Sequence, residues 1–160
     1  MIVKDIVYET FQDYKKPSML IATCMCDFKC LTEQNLDISI CQNSELTSQK
    51  NIEIDDNKII KRYLTNDVTQ AIVIGGLEPF LQFDEIVQFI DLLRYVYNNE
   101  DDIVIFTGYY LNEIEYYIKI LSYYKNIIIK FGRYIPNTES VYDNILGIVL
   151  SSNNQYAVKL

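Results

Sequence analysis

Five short runs in this chain are almost continuously apolar and rich in β-branched residues: Met19-Leu20-Ile21-Ala22-Thr23, Ala71-Ile72-Val73-Ile74, Ile103-Val104-Ile105-Phe106-Thr107, Ile127-Ile128-Ile129, and Ile145 to Leu150 with Gly147 inside it. A strand with one wet face alternates apolar and polar residues. A run with no polar position has both faces covered, as happens in parallel sheets flanked by crossover segments. These runs therefore predict buried, largely parallel strands. A further short strand is expected near Ile6-Val7-Tyr8.

Helical patterns fall between the runs. From Asp84, the residues Ile86, Phe89, Ile90, Leu93, Val96 and Tyr97 recur at steps of three and four and form one apolar stripe. Asp84 is placed to cap that helix and to put negative charge at its positive end. A second helix is expected to open with Asn112 and Glu115, in a spacing like a capping box, and to carry Ile114, Ile118 and Leu121 on one face. A shorter one runs from Asp55 through Ile59, Ile60, Tyr63 and Leu64. Strands alternating with helices through short connections define an α/β fold with right-handed crossovers. The 160 residues, without linker, repeat or low-complexity stretch, read as a single domain over 1–160. The polar, irregular stretch from Leu31 to Asn51 is long enough to be a functional loop.

Composition narrows the function. The net charge of −8 argues against a nucleic-acid surface, because gripping phosphates needs clustered Lys and Arg. It leaves room for an acidic face that docks on a basic protein partner. No apolar run approaches the roughly 20 residues of a membrane helix, so no membrane span is expected. Met1-Ile2-Val3-Lys4-Asp5 lacks the start of a secretory signal, and the chain reads as cytoplasmic. There is no His, which removes the usual proton shuttle and the usual nitrogen ligand. A metal held here is held by sulfur or oxygen.

All four cysteines, Cys24, Cys26, Cys30 and Cys41, lie within one short stretch. In a cytoplasmic chain such clustering points to metal or redox chemistry rather than disulfides. Cys26-Asp27-Phe28-Lys29-Cys30 is a CxxxC just beyond the first strong strand, where α/β folds place their sites, and Cys41-Gln42-Asn43 follows. Gly75-Gly76-Leu77-Glu78-Pro79 closes the strand at Ala71–Ile74, and glycines there let the backbone approach a ligand closely.

These motifs resemble the radical S-adenosylmethionine superfamily and, within it, the activating proteins of anaerobic ribonucleotide reductase. Those proteins carry CxxxCxxC and a GGEP turn. Here an insertion separates the second and third cysteines, and Leu77 interrupts the turn. Softer likenesses are Phe106-Thr107-Gly108-Tyr109 and the tail Leu150-Ser151-Ser152-Asn153-Asn154-Gln155. Where the family has an aromatic residue before the third cysteine stands Ile40, which leaves Phe28 as the one aromatic between the proposed ligands. Lys130 stands where an acidic residue is usual.

The resemblance implies a partial (β/α) barrel, open on one side. It implies a 4Fe–4S cluster on Cys26, Cys30 and Cys41, with Cys24 the alternative third thiolate. Three thiolates leave one iron open, and in the family S-adenosylmethionine binds there. Gly75, Gly76, Glu78, Pro79, Thr107 and Asn43 are then the candidate residues for that cofactor, with either Glu78 or a backbone group meeting its methionine end. The implied activity is that of an oxidoreductase forming a glycyl radical on a protein substrate such as anaerobic ribonucleotide reductase, with an electron donor such as flavodoxin. Two other readings are a cluster-binding accessory protein without radical chemistry, and a structural zinc module built on all four cysteines.

Overall fold

The computed structural model describes residues 1–160. Its framework is one seven-stranded sheet built from β1 (Ile2–Thr10), β2 (Ser18–Thr23), β3 (Ile52–Glu53), β4 (Ala71–Gly76), β5 (Asp102–Phe106), β6 (Ile127–Phe131) and a C-terminal strand, Tyr156–Lys159. The spatial order is β3-β1-β2-β4-β5-β6 followed by that last strand. Strands β2, β4, β5 and β6 run parallel, whereas β1, β3 and the C-terminal strand are antiparallel to their neighbours. The α/β class and the parallel centre match the expectation. The sheet ends in free edges and does not close into a barrel.

The two faces of the sheet are covered differently. Met19, Ile21, Ile72, Ile74, Ile103, Ile105, Ile127 and Ile129 face the main core of 22 buried residues. Helices α3 (Asp56–Leu64), α4 (Phe83–Asp91) and α5 (Glu115–Leu121) pack there through residues such as Ile60, Tyr63, Phe89, Ile90 and Leu121. Two shorter helices, α1 (Lys29–Thr32) and α2 (Ser44–Ser48), come earlier in the chain. Fully burying each large apolar side chain contributes about 1.5–3 kcal/mol, so the α4 stripe alone anchors its helix. On the other face Ala71, Val73, Val104 and Ile128 meet a smaller cluster with Tyr14, Leu146 and Leu150. That face is only partly covered. No helix is long and apolar enough to cross a membrane.

Several local expectations are corrected. The run Ile145–Leu150 is not a central strand. Asp143 accepts hydrogen bonds from the N–H groups of Ile145 and Leu146, and Gly147 takes φ +72°. This turn folds the run into a hairpin of β7 (Val141–Asp143) and β8 (Ile148–Leu150) outside the main sheet. The missing strand position is filled by β9 (Tyr156–Lys159). Asp84 lies in the first turn of α4 but does not cap it. Glu78 instead caps the 3-10 turn Pro79–Gln82 that leads in, accepting from Phe80 N–H at 3.1 Å. Before α5, the reciprocal contact is Tyr110 N–H to Glu113, not Asn112 with Glu115. The 31–51 segment is not an irregular loop: it holds a 3-10 turn at Ile38–Ile40 and the helix α2.

Candidate metal centre

Parallel strands end in one row, so the loops leaving them meet. Thr23 at the end of β2 lies opposite Gly76 at the end of β4, and Phe106 at the end of β5 lies opposite Lys130 on β6. The cysteine loop leaves β2 beside the glycine turn leaving β4. Glu78 N–H donates to the carbonyl of Met25 at 2.7 Å and ties the two together. Phe28, with φ +55°, turns the CxxxC loop sharply so that α1 can carry Cys30 back towards Cys26.

Cys26, Cys30 and Cys41 line one cavity of about 170 Å³. Cys24 does not. Its N–H donates to Gln82, and the charges nearest its thiol are Glu85 and Lys4. The four cysteines therefore do not converge as a zinc tetrahedron requires. No three cysteine or carboxylate side chains meet at a single-ion point.

A cluster is a different demand, since each thiolate takes a separate iron and the sulfurs stand apart around a cube. The donor chemistry fits that demand. Burial raises Cys26 to about 12, with the neighbouring Cys30 adding to it, and burial and then Cys41 raise Cys30. Burial thus holds Cys26 and Cys30 in the thiol form until a cationic centre compensates the thiolates.

The other expected site residues form the walls. Glu78 is buried, and its carboxylate accepts from Thr107 Oγ1 at 2.7 Å and from Gly108 N–H at 2.9 Å, besides its own cap on Phe80. Burial raises its pKa against these bonds, which favour the charged form. Thr107 Oγ1 in turn accepts from Tyr109 N–H. Glu78 and Thr107 thus weld the turn after β4 to the turn after β5. Pro79 is buried behind that node, opening the 3-10 turn. Asn43 donates to the carbonyl of Gly76 at 2.5 Å.

Gly76 lines the cysteine cavity, whereas Gly75 faces only a second, larger one. That second cavity, about 680 Å³, lies on the thinly covered face of the sheet. Gln42, Asn43, Gly76, Phe106, Lys130 and Gln155 line both cavities, so the two are neighbours across one wall. Lys130 is 8% exposed, donates to the carbonyl of Gly132 and forms no ion pair; burial lowers its pKa to about 8.

Sequence reasoning missed Gln42 and Tyr134 as wall residues. Gln42 follows a cysteine and was open to view, while Tyr134 arrives from beyond β6 with no motif to mark it. Neither Phe28 nor Ile40 lines either cavity; the aromatic shared by both is Phe106.

Fold and site together define an α/β protein with a thiol-lined cavity at the carboxyl ends of its parallel strands. Residues 19–157 match the family described as a 4Fe-4S single cluster domain, and the chain belongs to that family. No curated protein and no solved structure gives a significant match.

Proposed function

We propose that Cys26, Cys30 and Cys41 hold the 4Fe–4S cluster and that S-adenosylmethionine binds at its open iron, in a glycyl-radical activase. The observation that carries this reading is the pair of adjoining cavities. Organic ligands of this size occupy roughly 300–1,000 Å³, so a space of about 170 Å³ suits the cluster and not the nucleoside. The neighbouring 680 Å³ suits the nucleoside. Gly76, Asn43 and Phe106 line both cavities, which supports a cofactor that spans the two, with Phe106 as the candidate to stack on adenine. Held by Cys26, Cys30 and Cys41, the cluster would supply one electron for reductive cleavage of the cofactor's carbon–sulfur bond, chemistry that would serve hydrogen abstraction from a glycine of the partner. That electron comes from a donor such as flavodoxin.

One face of the sheet is thinly covered. It leaves room for a loop of a protein substrate such as anaerobic ribonucleotide reductase. Incubating the reduced, reconstituted protein with S-adenosylmethionine under anaerobic conditions tests the reading. Formation of 5′-deoxyadenosine is expected.

One observation favours a second reading, a cluster-binding accessory protein. Glu78 and Thr107 spend their polar groups on internal bonds, to each other and to the N–H groups of Phe80, Gly108 and Tyr109. An intact cluster with no 5′-deoxyadenosine formed would favour that reading.

A further inference from the structure

The cysteine loop is held from outside the cavity by a charge network centred on one buried arginine. Arg133, 3% exposed, follows β6 and does not itself line the cavity, although its neighbours Gly132 and Tyr134 do. Its guanidinium grips Glu113 with two bonds, Nη1 to Oε2 at 2.6 Å and Nη2 to Oε1 at 2.7 Å. Nη2 also donates to Glu33 at 2.8 Å, and Nη1 to the carbonyl of Gly108 at 2.9 Å. Nε lies 2.5 Å from Glu33 Oε2 without a bond directed at it, so Nη2 carries that contact. The plane sits 4.8 Å from the Tyr110 ring centre.

Each partner leads back to the CxxxC loop. Glu33 caps the end of α1, which carries Cys30. Glu113 pairs with Lys29 at 3.3 Å, and Lys29 lies over the Tyr109 ring. Tyr109 OH donates to Asp27 at 2.7 Å. Gln34 bridges the carbonyls of Cys30 and Tyr134 at 2.5 and 3.0 Å. Two of the three residues between Cys26 and Cys30 are therefore held by Tyr109 and Glu113, both from the segment that follows β5.

We propose that Arg133 is a positioning residue for the cluster: with Glu113 it locks the Cys26–Cys30 loop and sets the reduction potential of the centre that loop holds. A bidentate guanidinium–carboxylate pair fixes orientation as well as distance, which a flexible ammonium cannot do. Charge and hydrogen bonding around the thiolates tune the potential of such clusters. Arg133 and Lys29 supply two positive charges against Asp27, Glu33 and Glu113. Losing Arg133 removes one positive charge from this network beside the cluster, leaving Asp27, Glu33 and Glu113 opposed within it by Lys29 alone, and adding an electron there becomes harder. Losing the charge of Glu113 acts in the opposite sense.

The inference rests on Cys26 and Cys30 being cluster ligands, and Cys30→Ser checks that separately through its iron content. The experiment reconstitutes Arg133→Gln, Arg133→Lys and Glu113→Gln, then measures iron retention over time and the reduction potential by titration monitored by electron paramagnetic resonance. Arg133→Gln is expected to lose iron faster and shift the potential negative. Glu113→Gln should shift it positive. Arg133→Lys should hold the potential near the parent value while losing iron faster, because it keeps the charge and loses the fork. Should Arg133→Gln fail to fold, the other two decide alone: a positive shift in Glu113→Gln together with faster iron loss at the parent potential in Arg133→Lys supports the proposal, and a Glu113→Gln potential that stays or moves negative overturns it. Potentials that stay at the parent value in both charge-altering variants, or that move in the same direction, overturn the proposal, as does unchanged iron retention in Arg133→Lys.

Discussion

Gly76 takes φ +85°, and a Cβ there would lie 2.9 Å from the Leu46 side chain and 3.0 Å from that of Ala22. Both facts demand glycine on packing grounds alone, since α2 rests on this turn through Leu46. Gly76→Ala is expected to destabilise the protein by about 1–3 kcal/mol, the usual range for a non-glycine residue held at positive φ. Adding Leu46→Ala should return part of that loss by removing the steric share. Thermal unfolding of the two variants checks this, and a Gly76→Ala protein as stable as the parent contradicts it. The sequence marks this glycine for the close approach of a ligand; what the structure brings close to it is protein, Leu46 and Ala22. One occupant of the space is a leucine from the segment read as a loop, which no motif could reveal. The cysteines were more legible, because spacing and thiol chemistry limit what they can do. Cys26→Ser, Cys30→Ser and Cys41→Ser should each lower the iron content of reconstituted protein, whereas Cys24→Ser should leave it unchanged. Iron counting decides, and loss of the cluster in Cys24→Ser with retention in Cys41→Ser would place the third ligand at Cys24.

Elements were readable where apolar periodicity was long and uninterrupted. The central strands and the helices α3 and α4 are of that kind. Legibility failed where a local turn competed with an apolar run, as Asp143 and Gly147 do in making the β7–β8 hairpin from residues that look like a core strand. It failed again at β9, four residues whose pairing with β6 depends on distant register rather than local pattern. The turn that leads into α5 adds a pH dependence. The Arg133 fork, and then the Tyr110 N–H and Lys29, hold Glu113 down to about 2 from an ordinary 4.5, against the opposing pull of burial. A carboxylate depressed in the folded state stabilises it above the unfolded value, and that contribution is lost as pH falls through the folded value. The stability gap between the parent apo-protein and Glu113→Gln should therefore narrow as pH drops from about 4.5 towards 2. Denaturant unfolding across that range tests it, and a gap that stays constant would detach Glu113 from the Arg133 pair.

At the scale of the molecule, the helices of the main core guard one face of the sheet while the other keeps an open cavity of about 680 Å³ beside the thiol-lined one. This asymmetry was only half visible in the sequence. The strand runs implied burial on both faces, but nothing in them said that one face would be covered by a small hairpin. With a net charge of −8, a partner entering that face is expected to be basic where it touches. If the partner is an anaerobic reductase, mixing it with reduced protein and S-adenosylmethionine should give the doublet of a glycyl radical; cleavage without a doublet would move the substrate elsewhere. The narrower proposal is that Cys26, Cys30 and Cys41 hold a 4Fe–4S cluster whose remaining iron faces the larger cavity and binds S-adenosylmethionine there. The most direct measurement is the electron paramagnetic resonance spectrum of the reduced, reconstituted protein recorded before and after adding S-adenosylmethionine. The account predicts a cluster signal whose g-values change when the cofactor binds the open iron. A cluster signal unaltered by saturating S-adenosylmethionine would contradict it.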